Sequence, residues 1–299
     1  MKINSNSIKI KDVTHHLGTI NISSNNKLEV FSFIINANNF DYANAVEQLL
    51  ESVAEFALSR KINKEYKNKP LQLSKKAREK FRNYTQNKGE LGEFFLYCFL
   101  EGHLGAPKIL SKLELKTAKN MYVNGADGLH YLKLDDGNYH LIFGESKVEK
   151  KLTNGLRDAF QSISDFKRGI NKKDNSKSGI MFEKGLLNSN IDREFEDEDE
   201  KLFLKSIIYP SSKSNFYVDD AFGIFVGFEF EYSQFQTLSN ADFRKAVMEK
   251  ILEETKRQIN NINRYMNKYG LVGHTFYIYV LPFANIKNDR KMILKELLS

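Results

Sequence analysis

Residues 142–151 read IFGESKVEKK. Ile142, Phe143 and Gly144 have the character of a buried strand, and Glu145 and Lys147 follow it two residues apart. Side chains alternate between faces along a strand, so this carboxylate and this ammonium point the same way. Charges at the end of a buried strand are costly unless they have partners. The flanking segments decide what those partners are.

Working toward the N-terminus, residues 121–149 read MYVNGADGLHYLKLDDGNYHLIFGESKVE, two strand-like runs around DDG. The pattern predicts a β-hairpin with Gly137 supplying a positive φ. A three-residue loop, Asp135 to Gly137, sets Asp127 opposite Glu145. A two-residue loop slides the register by one and leaves the two carboxylates diagonal. Facing residues have Cβ atoms ~5 Å apart. Carboxylates that close repel unless a proton or a cation lies between them. The pair suits a hard divalent ion held through oxygen, Mg²⁺ above all, with Mn²⁺ as a substitute. Lys147 can then steady a water or the charge on a phosphate. The bland alternatives are a turn aspartate in NGADG and an exposed Glu145–Lys147 ion pair. The combination, an Asp and then Glu-x-Lys eighteen residues on, favours the metal site.

Further out, KGELGEFFLYCFLEG predicts a buried helix, because Phe94 to Leu100 is apolar all round. Glu90 and Glu93 stand one turn apart at its head. Glu93, nearer the apolar run, is the favoured third acid and Glu90 the alternative. After the Glu-x-Lys strand, the spacing of Leu156, Phe160 and Ile163 predicts an amphipathic helix from Thr153. His130 is a candidate substrate contact or a strand residue on the other face. Strands are also expected at 27–37, 221–231 and 274–283, the last central. Helices are expected at 41–61, with Asp41 as N-cap, from about Ser74, and at 240–266. Residues 171–200 are polar and predict a long loop or insertion. Strands mixed with helices around an early hairpin indicate an α/β fold with a mixed sheet. We divide the chain into an N-terminal α+β segment, 1–85, packed on a core of 86–299.

The net charge of +7 is unevenly spread. Residues 60–88 carry eleven Lys/Arg against two acids, whereas 192–200, DREFEDEDE, carry seven acids against one Arg. The basic block is a solvated face or a contact for a polyanion. The acidic run reads as a solvated loop, or as a decoy covering a basic groove. Lys150, Lys151, Arg157, Lys167 and Arg168 flank the Glu-x-Lys strand and are candidates for holding a nucleic-acid backbone. No apolar run approaches the ~20 residues of a membrane helix. A single cysteine, Cys98, excludes a disulfide framework and suits the reducing cytoplasm. There is no phosphate-binding G-x-x-x-x-G-K-[ST] loop and no G-x-S-x-G elbow.

The order of elements resembles the PD-(D/E)XK nuclease superfamily, whose restriction-endonuclease-like core is an acid-bearing helix, an Asp, a strand ending in (D/E)-x-Lys, and a second helix. The matching residues are Glu93 (or Glu90), Asp127, Glu145 and Lys147. The usual proline before the Asp is replaced by Ala126, and a Gln that often follows the Lys motif in subfamilies is matched by Gln161, a candidate site residue or simply a polar helix position. More closely, GELGEFFLY, GADGLH, FGESKV and AFQSISDF together resemble the HamA family, nuclease subunits of the Hachiman anti-phage defence system, over about residues 85–170. That resemblance implies a bacterial DNA-cutting effector dependent on Mg²⁺ and paired with a helicase subunit, HamB. Glu93, Asp127 and Glu145 would hold the metal and Lys147 would assist the attack. The rival is a non-catalytic nucleic-acid-binding or helicase-regulating subunit.

Overall fold

The computed structural model describes residues 6–82, 89–115, 125–170 and 179–298. Its strands in chain order are β1 (Thr14–Asn21), β2 (Lys27–Phe33), β3 (Ile35–Asn36), β4 (Asn39–Phe40), β5 (Lys108–Ser111), β6 (Gly128–Lys133), β7 (Tyr139–Glu149), β8 (Val218–Glu229) and β9 (Phe276–Phe283). Seven form one mixed sheet in the order β1-β2-β9-β8-β7-β6-β5, while β3 and β4 pair by themselves. The centre is parallel, β2 to β9 to β8 to β7, and the flanking pairs are antiparallel. Strands covered on both faces need apolar side chains at nearly every position. The run AFGIFVGF in β8 and FYIYVLPF in β9 meet that need, and both strands are almost wholly buried.

Helices cover both faces. On one, the helix Glu90–Cys98 packs Phe95 on Phe225 of β8, and the helix Tyr42–Ala57 packs Phe56 on Phe94. Asp41 caps the latter helix by accepting from the Asn44 amide, as expected. On the other face, the helix Leu152–Lys167 puts Phe160 against Phe276 and against Tyr265 of the helix Ile259–Lys268. Among the described residues, the middle of the chain runs from the helix Glu90–Cys98 through β5, the short helix Lys112–Leu115, β6, β7 and the helix Leu152–Lys167 to the helices Ile180–Glu194 and Glu198–Ile208 and then β8.

Residues 1–85 supply β1 and β2 to the common sheet, with β2 paired to β9. Two expectations are corrected. The polar stretch read as a loop or insertion at 171–200 contains the helix Ile180–Glu194 and the start of the helix Glu198–Ile208; 171–178 lie outside the described residues. The long helix at 240–266 is two, Asn240–Lys256 and Ile259–Lys268. The edge strands β1 and β5 and the helix Ile286–Leu298 were not anticipated. No helix among the described residues is long and apolar enough to cross a membrane.

Candidate active site

The β6–β7 hairpin has the expected register. Lys133 pairs with Tyr139 and Leu129 with Phe143, which leaves a loop of Asp135, Asp136 and Gly137, the last at φ +86°. The β6–β7 ladder stops at Leu129↔Phe143, whereas β7 stays paired with β8 as far as Glu149↔Phe228. The sheet therefore splits between β6 and β7 at the level of Gly144. A split leaves strand amides on β7 without β6 carbonyls, and buried amides must find acceptors.

Asp127 fills that role. Its own amide donates to the Gly144 carbonyl at 2.8 Å. Its Oδ2 accepts from both the Ser146 amide and the Ser146 hydroxyl, each at 2.8 Å. Asp127 is 8% exposed. It sits one residue out of strict opposition to Glu145, because the chain leaves the ladder at Gly128.

Glu145 and Lys147 share a face, as period two requires, and pair at 2.5 Å between Oε1 and Nζ. Both are partly exposed. The intervening Ser146 points to the other face. There a Cβ on Gly92 of the helix Glu90–Cys98 would lie 3.1 Å from the Ser146 hydroxyl, and a Cβ on Gly144 would lie 2.8 Å from Leu96. Gly92 and Gly144 are thus what lets helix and strand approach so closely. On the face of Glu145 and Lys147, Phe143 meets Phe166 of the helix Leu152–Lys167. The Glu93 helix therefore covers one face of β7, and Glu145 and Lys147 project from the other.

Both helix acids are buried, Glu90 to 1% and Glu93 to 8% exposure. Arg290 of the C-terminal helix approaches Glu90 at 3.7 Å. Among the described residues, Glu93, Asp127 and Glu145 do not form a group whose ligand atoms all lie within 4.8 Å of one another. The donor chemistry nonetheless fits a hard cation, since each offers carboxylate oxygen.

Glu183 is the residue that sequence reasoning missed. It lies in the helix Ile180–Glu194, is fully buried, and accepts from the Ala126 amide through Oε1 at 3.1 Å. A Cβ on Gly125 would collide with this carboxylate. Glu183 thus fixes the turn immediately before Asp127.

The other candidates scatter. His130 is 1% exposed, hydrogen-bonded through Nδ1 to the Ala106 carbonyl, and pushed by burial to a pKa of about 3. It is a neutral core histidine and does not reach a substrate. Gln161 is half-buried, outside the stripe of Leu152, Leu156, Ala159, Phe160 and Ile163 that faces the sheet. Lys150, Lys151, Arg157, Lys167 and Arg168 are all exposed. Arg157 is paired with Asp158 and Arg168 with Asp165. Lys151 and Lys167 stand at opposite ends of a 16-residue helix, roughly 24 Å apart. They line one flank rather than forming a cluster.

A comparison with curated proteins finds no match. A family model does: the model described as HamA matches residues 7–297, and the chain belongs to the HamA family.

Proposed function

We propose that this chain is the metal-dependent DNA nuclease of a Hachiman defence system, cutting phosphodiester bonds with weak sequence preference under the control of a helicase partner. Membership of the HamA family supports the defence role. The observation that supports this chemistry is the split between β6 and β7, beside which the buried Asp127 is bonded to Ser146 and the flanking Glu145 and Lys147 pair with each other. The acid-bearing helix before the hairpin and the helix after it are compatible with the PD-(D/E)XK resemblance.

In this mechanism Asp127, anchored through Oδ2 by Ser146, Glu145 and Glu93 would hold the metal, with Glu90 as the alternative helix acid. A bound Mg²⁺ would lower the pKa of a water and offset charge on the scissile phosphate. With the metal bound, Lys147 would orient the water or share the developing charge. Lys150, Lys151 and Arg157 hold the backbone, and Lys167 and Arg168 extend the contact along the helix. Such contacts carry little sequence information and weaken with salt.

The test is plasmid cleavage at low salt by wild type and Glu145→Ala, alone and with the helicase, in Mg²⁺ and in EDTA. Metal-dependent nicking that drops at least a hundredfold in the variant is the expected result. Absence of cutting by wild type even with the partner would favour the non-catalytic, helicase-regulating alternative.

A further inference from the structure

Away from the candidate active site, His16 of β1, Glu29 of β2 and His103 bring ligand atoms mutually within 4.8 Å. Two departures from regular structure create this meeting. In β1 the pairing shifts between His16↔Phe31 and Gly18↔Val30, so Leu17 is an extra residue, and Gly18 has φ +153°. Without that bulge, His16 and Thr19 would lie on opposite faces. With it, both reach Glu29, His16 Nε2 at 2.7 Å and the Thr19 hydroxyl at 2.6 Å from Oε2. His103 ends the π-helical turn Phe99–His103, in which the Leu104 amide reaches back to the Phe99 carbonyl. Bulges and π-turns both re-aim side chains and recur at functional sites.

We propose that His16, Glu29 and His103 form a second metal site, for a single Zn²⁺-class transition ion with its fourth position open to water or a partner's ligand. Two imidazoles and one carboxylate suit such an ion, whereas Mg²⁺ prefers oxygen alone. Ligands on a tetrahedral zinc with bonds of ~2.0–2.1 Å sit about 3.3 Å apart, so small side-chain adjustments close the site. His103 Nδ1 lies 3.2 Å from the hydroxyl of the buried Tyr279, which leaves Nε2 for the metal. A partner on the distal nitrogen is what orients metal-binding histidines. Glu29, His103 and Tyr279 stand in the wall of a cleft of about 990 Å³, which gives an ion access. The bound ion would pin the edge strand β1 to the turn that follows the helix Glu90–Cys98.

The experiment uses the full chain, free of any histidine tag and stripped by chelator, loaded separately with Co²⁺ as an optical probe and with Zn²⁺. One Co²⁺ per chain with visible d–d absorption, and one Zn²⁺ retained through gel filtration, are expected. Affinity should fall at least tenfold in Glu29→Gln, in His103→Gln and in the exposed-site variant His16→Ala, but not in Glu145→Gln. Failure of wild type to retain the ion, or equal retention by the three variants, would overturn the site and leave a plain His–Glu ion pair. The readout does not involve cleavage, so it stands apart from the nuclease proposal.

Discussion

Ser146 shows how much a single residue can decide. It lies between the two charged members of Glu-x-Lys, faces the other way, and holds Asp127 with both its amide and its hydroxyl. Glu183 does the corresponding work one residue earlier, on the Ala126 amide. Removing a buried acceptor leaves its donor unsatisfied, at about 1–3 kcal/mol. Glu183→Ala should therefore destabilise the fold by that amount in urea unfolding, whereas Glu183→Gln, which keeps an acceptor, should lose less than half as much. Equal losses would mean that the carboxylate's charge matters more than its bond to Ala126. The hairpin that carries Asp127, Glu145 and Lys147 was legible in the sequence because strand parity and a countable loop relate its residues. Glu183 was not, because it arrives from a helix more than fifty residues away that no local periodicity ties to the hairpin.

Among the elements, the acidic run at 192–200 was the least legible. Seven acids in nine residues suggest a solvated loop, yet the same charges suit a helix start. Asp197 is the N-cap of the helix Glu198–Ile208, accepting from the Glu200 amide at 2.9 Å, and Glu198, Asp199 and Glu200 fill its first turn. Carboxylates there meet the free amides and the positive end of the helix dipole. The run also touches the basic block, through Lys64 and Glu196 at 2.7 Å. Both partners are exposed, so that pair contributes little. We expect Asp197→Ala to cost about 1 kcal/mol, seen as a lower urea midpoint, and Lys64→Ala to leave the midpoint nearly unchanged. The reverse ranking would mean that the acidic run acts through the basic block rather than as a cap. The β6–β7 hairpin and the helices at 42–57 and 152–167 were read correctly because each carries its own punctuation: DDG, an N-cap aspartate, a clean apolar stripe. β1 and β5 lack such signals. β1 is mostly polar and carries a bulge that breaks its alternation. β5 is only four residues long and buries Lys108, whose ammonium is neutralised by Glu114.

At the scale of the molecule, the question is whether residues 1–85 are an attachment or a part. The sequence invited a boundary there, because composition turns strongly basic before the Glu90–Cys98 helix begins. The sheet has no such boundary. β2 pairs along Lys27↔Tyr277 to Val30↔Val280 with β9, and β1 closes the edge beyond it. Phe33 packs on Phe95 and Phe283, and Phe56 on Phe81 and Phe94, so the N-terminal aromatics sit in the same core as the helix that carries Glu93. A chain beginning at residue 86 would expose those rings and present β9, FYIYVLPF, as a long apolar edge, which is a template for aggregation. The full chain should unfold in one cooperative transition, with far-UV circular dichroism and tyrosine fluorescence coincident. The 86–299 fragment should be insoluble or lack a cooperative transition. A soluble fragment unfolding at the wild-type urea midpoint would show instead that residues 86–299 fold by themselves, and deletion could then separate the proposed catalysis from the proposed partner control. If the fragment fails as expected, that separation must rest on surface substitutions in an intact sheet, because removing the segment removes the scaffold on which the candidate active site is built.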